Sequence, residues 1–253
     1  MSAFVTDAGD GGLPLTGERT VPGVAVVNDW FRRHEVVYAR LAQLCAGRDV
    51  LEAGCGEGYG ADLIASVART VIAVDYDSAA VAHVRTRYPR VQVLAGNLAS
   101  LPLGDSAVDV VVNFQVIEHL WDQPQFITEC LRVLRPGGKL ILTVPSDQFR
   151  GLLHGVKSAA SPEAAKAYSD VIDKRFAHHH YHTPAEWAGL FSAVGITLTL
   201  ARYYVSPAAM LAWDQMNDEF GIGQRTLLST LMGPKLRWLG IGPALTRNKL
   251  AAR

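Results

Sequence analysis

Two clusters of glutamate and histidine have the composition of a catalytic or metal-binding site. Glu118 and His119 follow an apolar run, and Gln115 precedes them. Side chains at i, i+3 and i+4 share one face of a helical turn, so we expect these three to project together. Carboxylates and imidazoles serve as general bases or as ligands of a divalent ion, which predicts proton transfer or metal-assisted chemistry. The second cluster is FAHHHYH, which contains His178, His179, His180 and His182.

The segment VLEAGCGEGYG (50–60) predicts the element that positions these clusters. A short apolar run ending at Glu52 is typical of a buried strand, and Gly54, Gly56 and Gly58 follow it. Repeated glycines after a strand let the backbone adopt positive φ and approach a ligand closely. A dinucleotide motif would need its third glycine at Tyr59, which argues against NAD. The segment therefore predicts a nucleoside-sized ligand.

Strands and helical patterns alternate along the chain, which predicts an α/β fold with a doubly wound, mostly parallel sheet. The first strand begins at 50, and further strands are expected at 70–75, 91–95, 108–114, 139–145 and 196–204. Helices are expected at 24–44, 61–68, 78–88, 124–134, 184–195 and from 205 onward, with a turn at 135–138 and irregular or weakly helical chain at 146–183. We expect a single domain, 1–253, with a disordered start (1–12), a helical cover (13–47), a core (48–204) and a helical C-terminal segment (205–253).

Polar residues follow the predicted strands at the positions where a doubly wound sheet binds its ligand. Asp75 ends the second strand and can accept hydrogen bonds from both ribose hydroxyls. Asn97 and Leu98 follow the third strand and offer an amide and an apolar surface to a purine. Together with Glu52 after the first strand and Gln115 after the fourth, they predict one nucleoside site.

Composition and charge limit the binding partners and the cellular location that we expect. Lys plus Arg and Asp plus Glu are both 24, so no global field attracts nucleic acid, and we expect none as partner. The three cysteines, Cys45, Cys55 and Cys130, lack metal-ligand spacing and predict reduced thiols in a cytoplasmic protein. No apolar run approaches the roughly 20 residues of a transmembrane segment. The basic stretch 224–253 is interpreted as a last helix that packs on the domain or on the partner of a homodimer, with an anionic membrane or an acyl-bearing substrate as the alternative.

Several motifs resemble class I S-adenosylmethionine-dependent methyltransferases. They are ExGCGxG (52–58), the acidic end of the second strand, VVNFQVIEHL (111–120) and LRPGGKLILTVP (134–145). The resemblance covers residues 48–146, and more weakly continues to 204. It implies that S-adenosylmethionine is the cofactor, with its methionine part on the glycine loop, its ribose on Asp75 and its adenine on Asn97 and Leu98. The implied cofactor-binding residues are Glu52, Gly54, Gly56, Gly58, Asp75, Tyr76, Asn97, Leu98 and Gln115.

The Glu118-His119 pair also resembles part of the E-x-x-E-H motif of metal-assisted methyltransferases. Those enzymes act on ubiquinone precursors and on the 2′-hydroxyl of small RNAs, and the RNA enzymes add a distal histidine. The resemblance implies Mg²⁺ held by Glu118, His119 and His178, although Gln115 replaces the first glutamate of the motif. Metal-free methyltransferases carry the same pair, with His119 as a base or packed on the cleft floor, so both interpretations stay open. In either case we expect Glu118, His119, His180 and His182 to be catalytic.

The segments TGERTVPG, WFRRHEVVYARL, EAGCGEGYGADLIA and FQVIEHLWDQ are similar to actinobacterial, including mycobacterial, methyltransferases of polymethylated polysaccharide biosynthesis. This resemblance implies O-methyl transfer to a hydroxyl of a sugar or oligosaccharide, with aromatic residues such as Trp121 available for stacking. One alternative is a methyltransferase of a quinone, lipid or other small molecule. Another is a non-catalytic S-adenosylmethionine-binding module, against which Glu118 and His119 argue because binding alone does not require them.

Overall fold

A computed structural model describes residue 13 and residues 29–220. The predicted disordered start (1–12) and the chain after 220 lie outside these residues. The described chain forms two compact units, one comprising 29–146 and 177–201 and the other 147–176 and 202–220. The prediction of a single domain stays a prediction.

The first unit contains a five-stranded parallel sheet in the order β3-β2-β1-β4-β5. Its strands are β1 (Asp49–Ala53), β2 (Thr70–Asp75), β3 (Gln92–Ala95), β4 (Val108–Phe114) and β5 (Leu134–Thr143). Nearly every residue of β1 and β4 is buried, as expected for parallel strands covered on both faces. The predicted α/β, doubly wound fold is confirmed.

Helices cover both faces of this sheet. Val50 of β1 lies in a core cluster with Tyr38, Ala61 and Val84, whereas Leu51 lies in a second cluster with Phe126 and Phe191. Successive residues of a strand point to opposite faces, so the two clusters are the two sides of the sheet. The helices in chain order are α1 (Asp29–Leu41), α2 (Tyr59–Ala65), α3 (Ser78–Arg87), α4 (Gln123–Val133), α5 (Phe149–Leu152), α6 (His154–Lys157), α7 (Pro162–Phe176), α8 (Pro184–Ala193) and α9 (Pro207–Phe220), with 3₁₀ turns at Ala42–Cys45 and Ile117–His119.

The predicted turn at 135–138 is wrong, because these residues belong to β5. The register of β4 and β5 shifts between Val108 and Val110, and Gly137 has φ +77°, so the RPGG sequence forms an irregularity inside the strand. Arg135 donates to Asp49 and Asp109 at 2.8 Å each and thereby joins the amino ends of β1 and β4. The strand correspondingly ends at Thr143, earlier than predicted.

One further prediction fails in the last third of the described chain. Residues 196–204 form no strand, although Ile196 and Leu198 pack against the core. The apolar residues that alternate along this segment therefore pack against the core, but the backbone is not paired with another strand. The segment 146–183, predicted as irregular or weakly helical, contains the 15-residue helix α7.

The second unit is built around α7 and α9. Trp213 lies between Phe149 and Phe176, with ring centroids 6.1 and 5.9 Å away. The buried Asp214 carboxylate accepts hydrogen bonds from the Tyr168 hydroxyl and the Gly155 amide. Across 29–220, no helix has the length and apolar character needed to span a bilayer.

Candidate active site

The glycine loop between β1 and α2 presents open backbone at Gly56. Gly56 has φ +53°, and its amide donates to Asp75 Oδ2 at 2.8 Å. A Cβ built on Gly56 meets no protein atom within 4 Å, whereas one on Gly58 would lie 2.5 Å from Val84. Gly58 is thus required by packing. At Gly56, by contrast, the space beside the backbone is empty, so a ligand can come close to it.

Glu57 holds the glycine loop against α3 and the residue that follows it. The sequence motifs did not reveal this role. The Glu57 carboxylate is buried and lies 2.8 Å from His83 Nε2. It also accepts from the Tyr88 hydroxyl at 2.8 Å and from the Tyr59 amide at 3.2 Å. Burial and this carboxylate raise the pKa of Tyr88. One signal for this role is present in the sequence, an acidic residue between two glycines of the loop. A carboxylate buried there requires hydrogen-bond donors from a neighbouring element.

The other predicted cofactor residues lie at the carboxyl ends of β2 and β3. Asp75 is buried, and its Oδ1 accepts from the Asp77 amide at 2.9 Å, so backbone donors fix the carboxylate while each oxygen keeps acceptor capacity. Tyr76 is 86% exposed. Asn97 is exposed and its Oδ1 accepts from the Ala99 amide, whereas the Leu98 side chain packs in the core. An oriented carboxylate, open glycine backbone and an exposed ring fit S-adenosylmethionine.

Glu52 is buried at the end of β1. The Tyr38 hydroxyl of α1 donates to Glu52 Oε1 at 2.5 Å. Burial raises the pKa of the Glu52 carboxyl to about 8, the Tyr38 hydrogen bond opposes this shift, and the nearby Asp75 charge adds to it. Oε2 is also buried and has no hydrogen-bond partner among the described residues.

Gln115 does not share a helical face with Glu118 and His119, so that prediction is wrong. Gln115 has φ +58°, and its amide donates to Thr143 O at 2.8 Å. The chain therefore turns at Gln115 before the 3₁₀ turn Ile117–His119 begins. Left-handed backbone at a residue other than glycine is unfavourable and is concentrated at functional sites.

Glu118, His119 and His178 lie together in the first unit. One potential ligand atom from each lies within 4.8 Å of the other two, and Glu118 is 1% exposed. His119 Nδ1 lies 3.0 Å from Ala177 O. A carbonyl can only accept, so Nδ1 carries the proton and Nε2 presents a lone pair. One carboxylate and two imidazoles are a chemically suitable donor set for a divalent ion.

The histidine segment 177–182 is joined to the chain after β4 by several hydrogen bonds. The His179 amide donates to Glu118 O at 3.0 Å. His182 Nε2 lies 2.8 Å from Gln123 Oε1, and the Gln123 amide nitrogen donates to Ile117 O. The Gln123 oxygen must therefore accept, which makes His182 Nε2 the donor. This contact fixes the orientation of the His182 ring, whose catalytic role stays a prediction.

His180 and His182 lie outside the three-residue cluster. Their rings stack with centroids 5.7 Å apart. Burial, followed by the neighbouring His182 and His179, lowers the pKa of His180. His180 is therefore mainly neutral near pH 7, and its catalytic role stays a prediction.

Trp121 is an exposed aromatic residue beside this cluster. Its side chain is 81% exposed and stacks on the His179 ring with a centroid distance of 4.1 Å. His179 covers one face of the indole, so the other face is open to solvent.

Comparison with known proteins finds a family match for the central segment of the chain. Residues 51–142 match the family described as "Methyltransferase domain". The match runs from β1 into β5, so it relates this part of the sheet to that family and does not cover the rest of the chain. The YcgJ protein of Bacillus subtilis has a similar fold, with a TM-score of 0.51 over 64% of this chain and 68% of that chain at 20% identity.

Two curated relatives are named as methyltransferases. A probable S-adenosylmethionine-dependent methyltransferase of Mycolicibacterium smegmatis is 75% identical over 134 residues, which are 53% of this chain and 52% of the relative. The matched part therefore spans about half the length of that relative. The phthiotriol/phenolphthiotriol dimycocerosates methyltransferase of Mycobacterium leprae is 30% identical over 115 residues, 43% of each chain.

Proposed function

We propose that this protein is an S-adenosylmethionine-dependent O-methyltransferase that acts on a hydroxyl of a sugar or oligosaccharide. The observation that carries the proposal is the cluster of Glu118, His119 and His178. Glu118 and His119 follow β4, which lies next to β1. Gly56 follows β1, and Asp75 ends β2 on the other side of β1. A nucleoside site next to a base and a carboxylate suits methyl transfer to an acidic or activated hydroxyl.

The chemistry is a displacement at the methyl carbon. The bond from sulfur to carbon breaks as the bond from the acceptor oxygen to carbon forms, and the hydroxyl proton must leave. His119 Nε2 carries a lone pair because Nδ1 is engaged with Ala177 O, so it is suited to take that proton. If no metal is bound, Glu118 next to it stabilises the imidazolium that results.

A divalent ion at Glu118, His119 and His178 would occupy the lone pair of His119 Nε2, so His119 would then not act as the base, and the ion itself would lower the pKa of a bound hydroxyl. Mg²⁺ prefers oxygen ligands, whereas two imidazoles also suit ions such as Zn²⁺ or Fe²⁺. We therefore propose metal assistance without restricting it to Mg²⁺.

Trp121 supports a saccharide acceptor. His179 covers one face of the Trp121 indole, and the residue is 81% exposed. The uncovered face is a rigid apolar surface that suits stacking against the C–H face of a pyranose. Its neighbour His119 is only two residues away in the chain, so a sugar on this ring would extend toward the candidate base.

The Trp121→Ala variant is expected to raise KM for a saccharide acceptor about fivefold, because stacking contributes on the order of 1 kcal/mol. Its affinity for the cofactor and its thermal stability should stay unchanged, since the side chain is exposed. Trp121→Phe should recover part of the loss. Steady-state kinetics measure the effect, with Leu131→Ala, an exposed apolar truncation on α4, as control. An unchanged KM in Trp121→Ala would remove this residue from the acceptor site.

A lipid acceptor is the second candidate, favoured by the name of the Mycobacterium leprae relative. That relative is named for a lipid substrate. The similarity covers less than half of each chain, so it supports a lipid acceptor less strongly than the local features favour a sugar.

The acceptor is tested directly by transfer of a labelled methyl group. Wild-type protein is incubated with labelled S-adenosylmethionine and either gluco- or manno-oligosaccharides, a quinol or a hydroxylated lipid. Each mixture contains Mg²⁺, Mn²⁺, Zn²⁺ or a chelator. We expect label on an oligosaccharide, and a loss of that label with chelator. Label only on the quinol or lipid would show that the sugar proposal is wrong. The cytoplasmic location and the homodimer stay predictions.

A further inference from the structure

We propose that Gln123 and His182 are positioning residues, which hold the histidine segment 177–182 in place against the turn that carries Glu118 and His119. A series of hydrogen bonds through two buried amide side chains carries this inference. It rests on the proposed methyl transfer at Glu118 and His119, and it holds for any acceptor of the methyl group.

The series of hydrogen bonds begins at the end of β1. Asn113 of β4 is fully buried, and its Nδ2 donates to Ala53 O at 2.7 Å. Its Oδ1 accepts from the Ile117 amide at 3.1 Å. Ala53 directly precedes Gly54 of the glycine loop. One side chain therefore ties the strand that leads into this loop to the first residue of the 3₁₀ turn.

Gln123 continues the series on the other side of Ile117. Its side chain is buried, its Nε2 donates to Ile117 O at 2.9 Å, and its Oε1 lies 2.8 Å from His182 Nε2. Ile117 O also accepts from the Leu120 amide at 3.1 Å, so both lone pairs of this carbonyl are used. The peptide groups on either side of Ile117 are therefore fixed immediately before Glu118.

Each hydrogen bond in the series allows only one direction. A carbonyl oxygen accepts and a backbone amide donates, which fixes the orientation of the Asn113 and Gln123 side chains. His182 Nε2 therefore carries a hydrogen and donates it to Gln123 Oε1. A nitrogen that already donates has no lone pair for the proton of an acceptor hydroxyl. This contact accordingly suits positioning.

The histidine segment is held at both of its ends. At its start, Ala177 has φ +50°, and Ala177 O lies 3.0 Å from His119 Nδ1. Left-handed backbone at alanine is unfavourable and persists only where the surrounding contacts maintain it. At its end, His182 is fixed by Gln123. His178 lies between these two anchors, so loss of the second anchor should let its ring move relative to His119.

The Gln123→Met variant tests this positioning through the rate of methyl transfer. Methionine has a similar length and removes both hydrogen bonds of the amide. We expect kcat to fall about tenfold or more, because a small misplacement of the groups that react has a large effect on rate. The affinity for S-adenosylhomocysteine should stay close to that of the wild type, since Asn113 still ties the turn to β1.

Gln125→Met is the matched control. Gln125 lies on the same helix as Gln123, and its exposed side chain also donates to a backbone carbonyl, Ala99 O, at 3.1 Å. This variant removes the same chemical group without touching the histidine segment. Its kcat should match that of the wild type.

The variants His182→Gln and His182→Leu separate positioning from proton transfer. A glutamine side chain carries its amide nitrogen at about the place of imidazole Nε2 and can donate to Gln123 Oε1, but it cannot carry a proton as an imidazole does. We expect His182→Gln to recover most of the kcat that His182→Leu loses. The assay uses the acceptor that takes label in the methyl-transfer screen. If His182→Gln is as inactive as His182→Leu, His182 transfers a proton and the proposal is wrong.

Hydrogen exchange tests the proposal without an acceptor. The backbone amides of 177–182 should exchange about fivefold faster in Gln123→Met than in the wild type or Gln125→Met, as one lost hydrogen bond allows. Unchanged exchange, faster exchange spread evenly over the sheet, or weaker binding of S-adenosylhomocysteine in Gln123→Met would overturn the proposal. A screen in which no sugar is labelled would leave the exchange result intact, so the two proposals fail separately.

Discussion

The Gly56→Ala variant is expected to fold but to lose more than about 100-fold in affinity for S-adenosylhomocysteine, which corresponds to about 2.7 kcal/mol. A Cβ at this position meets no protein atom within 4 Å, so it would occupy the space through which a ligand approaches the loop. The Gly56 amide is also held by Asp75 Oδ2 at 2.8 Å, which prevents the loop from moving away to accommodate a methyl group. Calorimetric titration measures the affinity.

Gly47→Ala is the matched control for backbone strain. Gly47 has φ +66°, close to the +53° of Gly56, and a Cβ there also meets nothing within 4 Å. Gly47 precedes the amino end of β1, at the opposite edge of the sheet from the glycine loop. Both variants should lose about 1–2 kcal/mol of stability from left-handed backbone at alanine, or roughly 2–8 °C in Tm. Equal cofactor affinity in the two variants would show that Gly56 does not contact the cofactor.

The elements that could be predicted from sequence are those with a strong local pattern. β2 at 70–75 and β4 at 108–114 are continuous apolar runs and have their predicted bounds. Helix α8 begins at Pro184 as predicted, because Thr183 and Glu186 form a capping box and proline is favoured in the first turn. The strand ends then follow from the fold class, which is why Asp75 and the glycine loop could be placed at one edge of the sheet.

The features that could not be predicted depend on contacts between distant parts of the chain. Arg135 makes RPGG part of β5 by pairing with Asp49 and Asp109, and no local pattern reveals those partners. Glu57 is buried because His83 and Tyr88 face it from α3 and the residue after that helix. Gln115 adopts positive φ, which a helical spacing argument cannot anticipate. The closeness of His178 to Glu118 and His119 was a prediction from resemblance, and no pattern in either segment alone gives the distance.

The Glu118→Gln variant is expected to lower kcat/KM for methyl transfer by about 10²–10⁴-fold, the range typical of losing general base catalysis, because His119 depends on this carboxylate to accept a proton. Glutamine keeps the volume of this buried side chain but removes the negative charge. His119 Nε2 then lacks the carboxylate that stabilises its protonated form, and a divalent ion lacks the anionic member of its donor set. The affinity for S-adenosylhomocysteine should change little, because cofactor residues such as Gly56 and Asp75 are unaltered. Methyl-transfer kinetics and calorimetry measure the two quantities separately.

The response to chelator decides between the two roles of Glu118. If a metal is used, chelator should inactivate the wild type and an added divalent ion should restore it, whereas Glu118→Gln should need a much higher ion concentration. If His119 acts as a base without metal, chelator should have no effect on the wild type, while Glu118→Gln and His119→Ala still lose activity. Glu163→Gln, which removes an exposed carboxylate on α7, should match the wild type in every assay. Full activity of Glu118→Gln would exclude both roles, because each requires the negative charge of that carboxylate beside His119.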